Sequence, residues 1–338
     1  MSQAEIDPTQ LARAASGLDD IVKGEYARIA ATLRRGFPLD APGLGSLLGT
    51  QEAYYNEVAD YHVRNLLAAA DAVGEIAVGL RAMVRNLQAS EEAHTTGMLA
   101  THRAADEEPA RRTTVEADRD AAAQHDWDGV AIDTRTQSDL LRISYAIAGF
   151  APSYLPTPMA VSGLVANLAS IRTAAVELAA VAASLETDVN AKFDHYAAEA
   201  TVGWRDGGVE AYQGVIAAMN GELAQARRTI DALSATLMAT FAMLSAFWSA
   251  FARFTGDFFA TVLRLRQTSP DPDQTQATLA SLGAAASARW LAAHRSVLSA
   301  VATAVTQLGE TVAAFTAGRT PGDARPEIQQ ISISWQPA

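Results

Sequence analysis

The chain has 338 residues, of which 49% are hydrophobic, with a formal net charge of −12 and no cysteine. Disulfides and thiolate sites are therefore excluded, and the hydrophobic content is ample for a sizeable core. The acidic balance argues against nucleic acid or an anionic membrane surface as an electrostatic partner, because both bind a basic face.

The N-terminal part of the chain predicts a helical hairpin, assigned to residues 1–98. Residues 1–5 lack the basic and apolar regions of a Sec-type signal peptide. Apolar residues at helical spacing over 9–36 and again over about 51–97 predict two helices, and a Pro- and Gly-rich turn over 38–49 separates them. Two helices joined by a short turn make an antiparallel hairpin.

A charged connector follows at residues 99–139. Asp, Glu and Arg are mixed there with Ala and Thr, and no apolar period is sustained over a useful length. This composition is typical of a solvated segment between two structured halves.

The next stretch, 140–171, is apolar and carries no charge from residue 143 onwards. Three prolines over 151–158 leave few amide donors for a helix, so a rigid turn is predicted there, at the tip of an apolar hairpin. A hairpin of this kind can leave a bundle and enter a membrane. The residues expected to insert are Tyr145, Phe150, Tyr154 and Leu155.

Two long helices with strong apolar seams are predicted next. From residue 161 to residue 189 the apolar residues alternate steps of four and three, which indicates a coiled-coil-like seam. A second seam is unbroken over 207–267, a helix of about 90 Å at ~1.5 Å per residue. Its stretch 232–252 is uncharged and long enough for a bilayer, but Ser and Thr interrupt it, which favours a core helix over a membrane span.

The turn between these two helices contains Trp204. A large aromatic residue at this point can close the end of the seam, and the glycines beside it permit the positive φ angles of a tight reversal. The same turn is the predicted partner-binding surface, formed by Trp204, Gly207, Gly208 and Tyr212. Residues 140–267 are accordingly assigned to a second helical hairpin.

The C-terminal part, 268–317, predicts one more helix. Prolines and aspartates at 269–273 stop the long helix, and an apolar stripe extends over about 275–317. Because charge is sparse along this helix, we expect it to pack against neighbours over much of its circumference. Residues 318–338 form a linker and a tail, in which 331–335 alternate like a strand.

The sequence points to little chemistry. Its six histidines lie in different segments without the spacing of metal ligands, and Gly-rich phosphate loops, nucleophile elbows and His-Glu-x-x-His helices are absent. No enzyme activity, cofactor or metal is therefore predicted. The predicted fold class is all-α, an elongated bundle of long antiparallel helices.

The residues around Trp204 resemble the Trp-X-Gly helical-hairpin family, the small secreted proteins of type VII (ESX) secretion systems. Trp204-Arg205-Asp206-Gly207-Gly208 is similar to the turn of that family, with two residues rather than one between Trp and Gly. Ile6-Asp7-Pro8-Thr9 is similar to the start of ESX-associated hairpins that lack the Trp. A literal Trp127-Asp128-Gly129 lies in the charged connector and is interpreted as a chance match.

The resemblance covers about 8–98 and 160–265, and it implies that two hairpins in one chain pair as separate subunits would, in an intramolecular four-helix bundle. The export signal of the family, Tyr followed four residues later by Asp or Glu, is absent at every tyrosine. This departure favours either export together with a protein partner, such as another helical secretion protein or an effector, or a role without secretion.

Three functions follow as expectations. The first is a non-enzymatic protein of an ESX-like system, cytoplasmic before export and then secreted or in the cell envelope by a non-Sec route, acting as substrate or as partner of another effector. The second is a pore-forming α-helical toxin component that inserts residues 140–171, which liposome leakage would reveal. The third is a cytosolic scaffold or phage-type structural protein, which would form fibres or arrays.

Overall fold

The protein is an all-α bundle of long antiparallel helices, as the apolar periodicity predicts. The computed structural model describes residues 7–36, 39–95, 132–202, 208–268 and 271–316, with no strand among them. Most of the charged connector, the turn at Trp204 and the C-terminal tail lie outside the described residues.

In the first hairpin a π-helical turn interrupts the first helical rod, and one long helix follows the loop. Its elements are α1 (Pro8–Asp20), a π-helical turn (Ile21–Tyr26), α2 (Ala27–Gly36), a 3₁₀ turn (Ser46–Leu48) and α3 (Gly49–Thr95). The side chain of Asp7 caps α1 by accepting a hydrogen bond from the Thr9 N–H at 2.8 Å. α1 and α2 both pack against α3, so these elements form a helical hairpin.

The segment after the connector is more helical than predicted. It contains α4 (Thr134–Phe150), a 3₁₀ turn (Pro152–Tyr154), α5 (Pro156–Val161) and a second 3₁₀ turn (Ser162–Leu164). α4 begins inside the predicted connector because the Asp133 side chain accepts the Thr136 N–H at 2.7 Å and caps it. Pro152 and Pro156 occupy the first positions of short helices, where an amide donor has no intrahelical partner in any case.

The second hairpin contains α6 (Leu168–Ser184), a π-helical turn (Leu185–Asn190), α7 (Ala191–Ala200) and α8 (Gly208–Thr268). The apolar period that starts at residue 161 becomes a continuous helix only at Leu168, where Asn167 caps the chain through the Ser170 N–H. α8 has 61 residues, in agreement with the predicted helix over 207–267.

The two hairpins pair as a four-helix arrangement. The N-terminal rod (8–36, α1 to α2) lies between α3 and the middle rod (168–200, α6 to α7), while α8 packs on α6 and α3. The two rods are antiparallel, because Arg13 near the start of one contacts Glu199 near the end of the other, and Arg28 contacts Asp188. The first hairpin therefore packs on the second within one chain.

Large apolar side chains from all these helices form one core. The largest that are fully buried include Trp248, Tyr26, Tyr55, Tyr154, Phe193 and Phe251. Each such side chain contributes on the order of 1.5–3 kcal/mol by leaving water, so the core dominates the stability of the rods.

The last helix, α9 (Pro272–Thr316), packs on the second half of α8 and on the 3₁₀ turn and α5 near residues 152–161. One stripe of it is buried, with Leu279, Trp290 and Val301 at its centre, and the opposite face of Ala, Ser and Thr is exposed. The prediction that this helix is covered over much of its circumference is wrong. Alanine fits an exposed helix face as well as a buried one, so sparse charge alone did not distinguish them.

Candidate functional site

The predicted partner-binding turn is described only from Gly208, the first residue of α8, because Trp204 and Gly207 lie outside the described residues. Tyr212 lies one turn along α8 with 4% of its surface exposed, and burial raises the pKa of its hydroxyl. Its ring belongs to the core, so Tyr212 does not offer its side chain to a partner as predicted.

Ion pairs join the N-terminal rod to the middle rod at three levels. Arg13 Nη1 lies 3.1 Å from Glu199 Oε1, Arg28 Nη2 lies 2.9 Å from Asp188 Oδ2, and Lys192 Nζ lies 2.8 Å from Glu25 Oε1. Partial burial alone would raise the pKa of Glu25, but hydrogen bonds from Lys192 and Arg28 outweigh it and lower the pKa. Pairs as exposed as these contribute roughly 0.2–1 kcal/mol each, so they orient the rods more than they hold them together.

The N-terminal rod and the middle rod approach each other closely at Gly17 of α1 and Tyr196 of α7. A Cβ at position 17 would overlap the ring of Tyr196. The absence of a side chain at Gly17 therefore allows the ring to lie against the backbone of α1.

The loop of the first hairpin is fixed to the start of α6. The Asn167 N–H donates to Gly43 O at 2.9 Å, and the Asp40 N–H donates to Ser170 Oγ at 2.9 Å. Gly45 has φ +95°, and its Cβ position lies 2.8 Å from the carbonyl oxygen of Val165. Only glycine combines a positive φ angle with enough space for the Val165 carbonyl oxygen at this distance. Gly45 therefore allows the loop to lie directly against the segment before α6.

Residues 134–164, here called the arm, are attached by buried hydrogen bonds at each end. The Gln137 side chain donates to Ile132 O at 2.7 Å and to Ala166 O at 3.0 Å, and it accepts the Ala166 N–H at 3.0 Å. Trp248 Nε1 on α8 donates to Leu164 O at 3.0 Å. The two bonds to Ala166 and the bond from Trp248 are buried, so losing one partner would leave the other unsatisfied, whereas the bond to Ile132 is partly buried.

The middle of the arm is attached to α8 and α9 by aromatic packing. The Tyr154 ring lies 5.3 Å from the Phe258 ring, centroid to centroid, in an edge-to-face arrangement, and burial raises the pKa of Tyr154 to about 12. Ser153 Oγ donates to Ala280 O at 2.6 Å. The inner side of the arm is therefore core.

The four residues predicted to insert into a membrane do not share one surface. Tyr154 is fully buried, and Phe150 is half-buried with the Arg266 guanidinium carbon 4.4 Å from its ring centroid. Tyr145 and Leu155 are 45% and 43% exposed. Insertion of the whole hairpin would first have to detach Tyr154 from α8, whereas the outward residues are already accessible.

Two described stretches are long and apolar enough to cross a membrane, Pro152–Ala200 and Gly208–Thr268. In the most apolar window of each, 44% and 50% of the residues are buried inside the protein. Core helices of water-soluble proteins pass the same test of length and composition, so these stretches do not by themselves indicate a membrane protein.

Titratable groups do not converge in the described part of the chain. No group of three or more His, Asp or Glu side chains there is placed to hold a metal ion. His62 on α3 is fully buried and burial lowers its pKa to about 4, while burial also lowers the pKa of His294 on α9.

Several residues that join the elements were not identified from the sequence. A single glycine inside a helical period, as at Gly17, is a signal of close approach, and its partner Tyr196 belongs to the next seam. Asp133 could have been recognised as the cap of a helix. Gln137, four residues later, would then have been assigned to the first turn of that helix.

Comparisons of the chain with protein-family models, with curated proteins and with solved structures returned no match.

Proposed function

We propose that this chain is a non-enzymatic helical protein of a type VII (ESX-like) secretion system, acting as an exported substrate or as the partner that carries another effector. The observation that supports the proposal is the docking of the first hairpin on the second along the two antiparallel rods. Paired helical hairpins are the arrangement that the resemblance around Trp204 implies for proteins of this kind.

The charges of the two rods also support pairing between separate hairpin surfaces. The N-terminal rod has five basic and three acidic side chains, whereas the middle rod has two basic and five acidic ones. Opposite charge on facing surfaces increases association rates and fixes orientation. The same complementarity would serve a hairpin supplied by another protein.

Export can be measured in a bacterium that has a type VII system, with and without its secretion ATPase. We expect the tagged chain in the culture filtrate of the ATPase-positive strain only, with a cytosolic enzyme as the marker of lysis. Because the family's export signal is absent, we expect export to need co-expression of a helical partner protein. Equal amounts of the chain in both filtrates, with or without the partner, would contradict the proposal.

The two Trp-Gly sequences of the chain provide a matched pair of variants. Trp204→Ala in the predicted turn is expected to lower export severalfold, whereas Trp127→Ala in the charged connector is expected to leave it unchanged. Equal effects of the two variants would show that the resemblance around Trp204 has no role in export.

A further inference from the structure

The outward side of the arm presents a stripe without charge, here called the outer stripe. Its exposed residues follow one another at helical spacing through α4, the 3₁₀ turns and α5: Tyr145, Ala146, Gly149, Pro152, Leu155, Pro156, Met159 and Ser162. Met159 is 62% exposed, more than any other large hydrophobic side chain of the described residues. Leu155 lies one turn before it, so two large apolar side chains point outward together.

The outer stripe has few polar groups that need water. Pro152 and Pro156 stand at helix starts, where any other residue would carry an N–H without an intrahelical partner. Ser162 Oγ donates to Met159 O at 2.8 Å, so its hydroxyl proton is already used. Polar groups that are absent or paired within the chain reduce the free-energy cost of entering a medium without water.

Basic side chains border the outer stripe. Arg142 lies three residues before Tyr145 on α4 with 80% of its side chain exposed, and it also pairs with Asp139 at 3.1 Å. Arg266 of α8 lies over the half-buried Phe150 ring, at the other end of α4. The sequence over 134–171 and 247–316 contains seven Arg and five Asp or Glu, so these segments carry a small positive net charge although the chain carries −12.

We propose that the outer stripe docks on the surface of an anionic phospholipid bilayer, with Leu155 and Met159 in the interfacial region and Arg142 and Arg266 near the lipid phosphates. The acidic charge of the whole chain opposes adsorption in any other orientation and so makes the docking directional. A bilayer interface accommodates apolar side chains flanked by arginines, because the guanidinium groups reach the lipid phosphates while the apolar groups leave water. The inner side of the arm stays attached to α8 through Tyr154 and Trp248.

Flotation of the full chain with vesicles tests the docking. We expect binding to vesicles that contain phosphatidylglycerol with phosphatidylcholine, and much weaker binding to phosphatidylcholine alone. Replacing both apolar residues, Leu155→Gln with Met159→Gln, is expected to lower the bound fraction by about tenfold or more. The matched control is Val78→Gln on α3, which is 58% exposed and lies on the four-helix part.

All of these positions are exposed, so the variants are expected to retain the helical circular dichroism and the melting temperature of the parent chain. Failure of the parent chain to float with anionic vesicles, or equal flotation of the Leu155 and Met159 variant and the parent, would overturn the proposal.

A fluorescent label gives a second and independent readout. Because the chain has no cysteine, Met159→Cys and Val78→Cys each create a single position for an environment-sensitive dye. We expect a blue shift with anionic vesicles for the label at 159 and none for the label at 78. A response at 159 that follows protein concentration without vesicles would identify a protein-docking surface instead and overturn the lipid proposal.

Release of a trapped dye distinguishes surface docking from insertion of the arm. Binding without release is expected, because the buried side of the arm remains in the core. Release at low protein concentration would show that residues 140–171 leave the bundle, which would overturn surface docking.

Discussion

The contact between Gly17 and Tyr196 sets how closely the two rods of the four-helix part approach. Gly17→Ala is expected to destabilise the protein by about 1–2 kcal/mol, because the new methyl group would displace the ring. Gly74→Ala on α3, where a Cβ meets nothing within 4 Å, is expected to stabilise it by up to ~1 kcal/mol. Urea unfolding followed by circular dichroism measures both.

Removal of the ring provides the control for this prediction. In Tyr196→Ala, the additional replacement Gly17→Ala is expected to cost little, because the methyl group then has room. Similar free energies of unfolding for the Gly17 and Gly74 variants would show that the rods are not in close contact at this level.

Because His62 on α3 is buried, we expect the free energy of unfolding to decrease in mild acid. The pKa of His62 is about 4 in the folded chain, below its ordinary value of about 6.5, so the unfolded chain binds a proton first as the pH falls. The stabilisation associated with the neutral ring is complete above pH ~6.5 and is lost progressively towards pH ~4, up to about 3 kcal/mol in total.

Unfolding of the parent chain and of His62→Leu between pH 7 and pH 4.5 measures this effect. As the pH falls, the free energy of unfolding of the parent chain is expected to decrease more than that of His62→Leu, because the variant has no imidazole at position 62 to protonate. His195→Leu is the control, since His195 is exposed on α7. An identical dependence on pH for the parent and the His62 variant would contradict the prediction.

At the scale of elements, Gln137 holds the start of the arm against the segment before α6. Gln137→Leu would remove two buried hydrogen bonds and one partly buried one and leave both backbone groups of Ala166 without that partner, at an expected cost of about 2–4 kcal/mol. Hydrogen exchange of amides over 137–150 should increase more than exchange in α8. Gln276→Leu on the exposed face of α9 is the control, and equal exchange in the two variants would contradict the prediction.

The long helices could be predicted from the sequence, whereas the short elements could not. A sustained apolar period reports which face of a helix is buried, and it gave both ends of α8 within one residue. The start of α4 depends on a single capping carboxylate, Asp133, among many charged residues. Each π-helical turn inserts one additional residue into a helical turn. This changes the spacing of the apolar residues by too little to be recognised in the sequence.

At the scale of the whole molecule, the two hairpins are joined by noncovalent contacts over their described residues. We expect residues 1–98 and 132–338, expressed as two chains, to form a 1:1 complex, because the seam between the rods needs no covalent link. Association should slow as salt increases, since the rods carry opposite net charge. Size-exclusion chromatography with light scattering, and stopped-flow mixing, measure the two effects.

A charge reversal serves as the control for the seam. Arg28→Glu in the first chain is expected to slow association, and Asp188→Arg in the second chain is expected to restore it, because the two side chains face each other at 2.9 Å. Chains that remain separate at micromolar concentration would show that the linkage is required.

The pairing of two hairpins could be predicted from the sequence, and most of the interaction surface could not. Seams of aliphatic side chains require helices to lie side by side, and the resemblance around Trp204 implied that two hairpins pair in a four-helix arrangement. Tyr212 was assigned to a partner although it lies in the core, because proximity to a turn does not reveal which way a ring points. Leu155 and Met159 point outward because of two short helices that begin at Pro152 and Pro156. The prolines in this segment predicted a turn without helix, so the exposure of the two side chains could not be predicted.

The antiparallel seam also has a consequence for synthesis of the chain on the ribosome. Arg28 and Asp188 are 160 residues apart, so at ~5–20 residues per second the N-terminal rod emerges roughly 8–30 s before the surface of the middle rod that covers it. During that interval its aliphatic face is open to any chaperone or nascent neighbour, and the order of translation gives such a helper the first opportunity to bind.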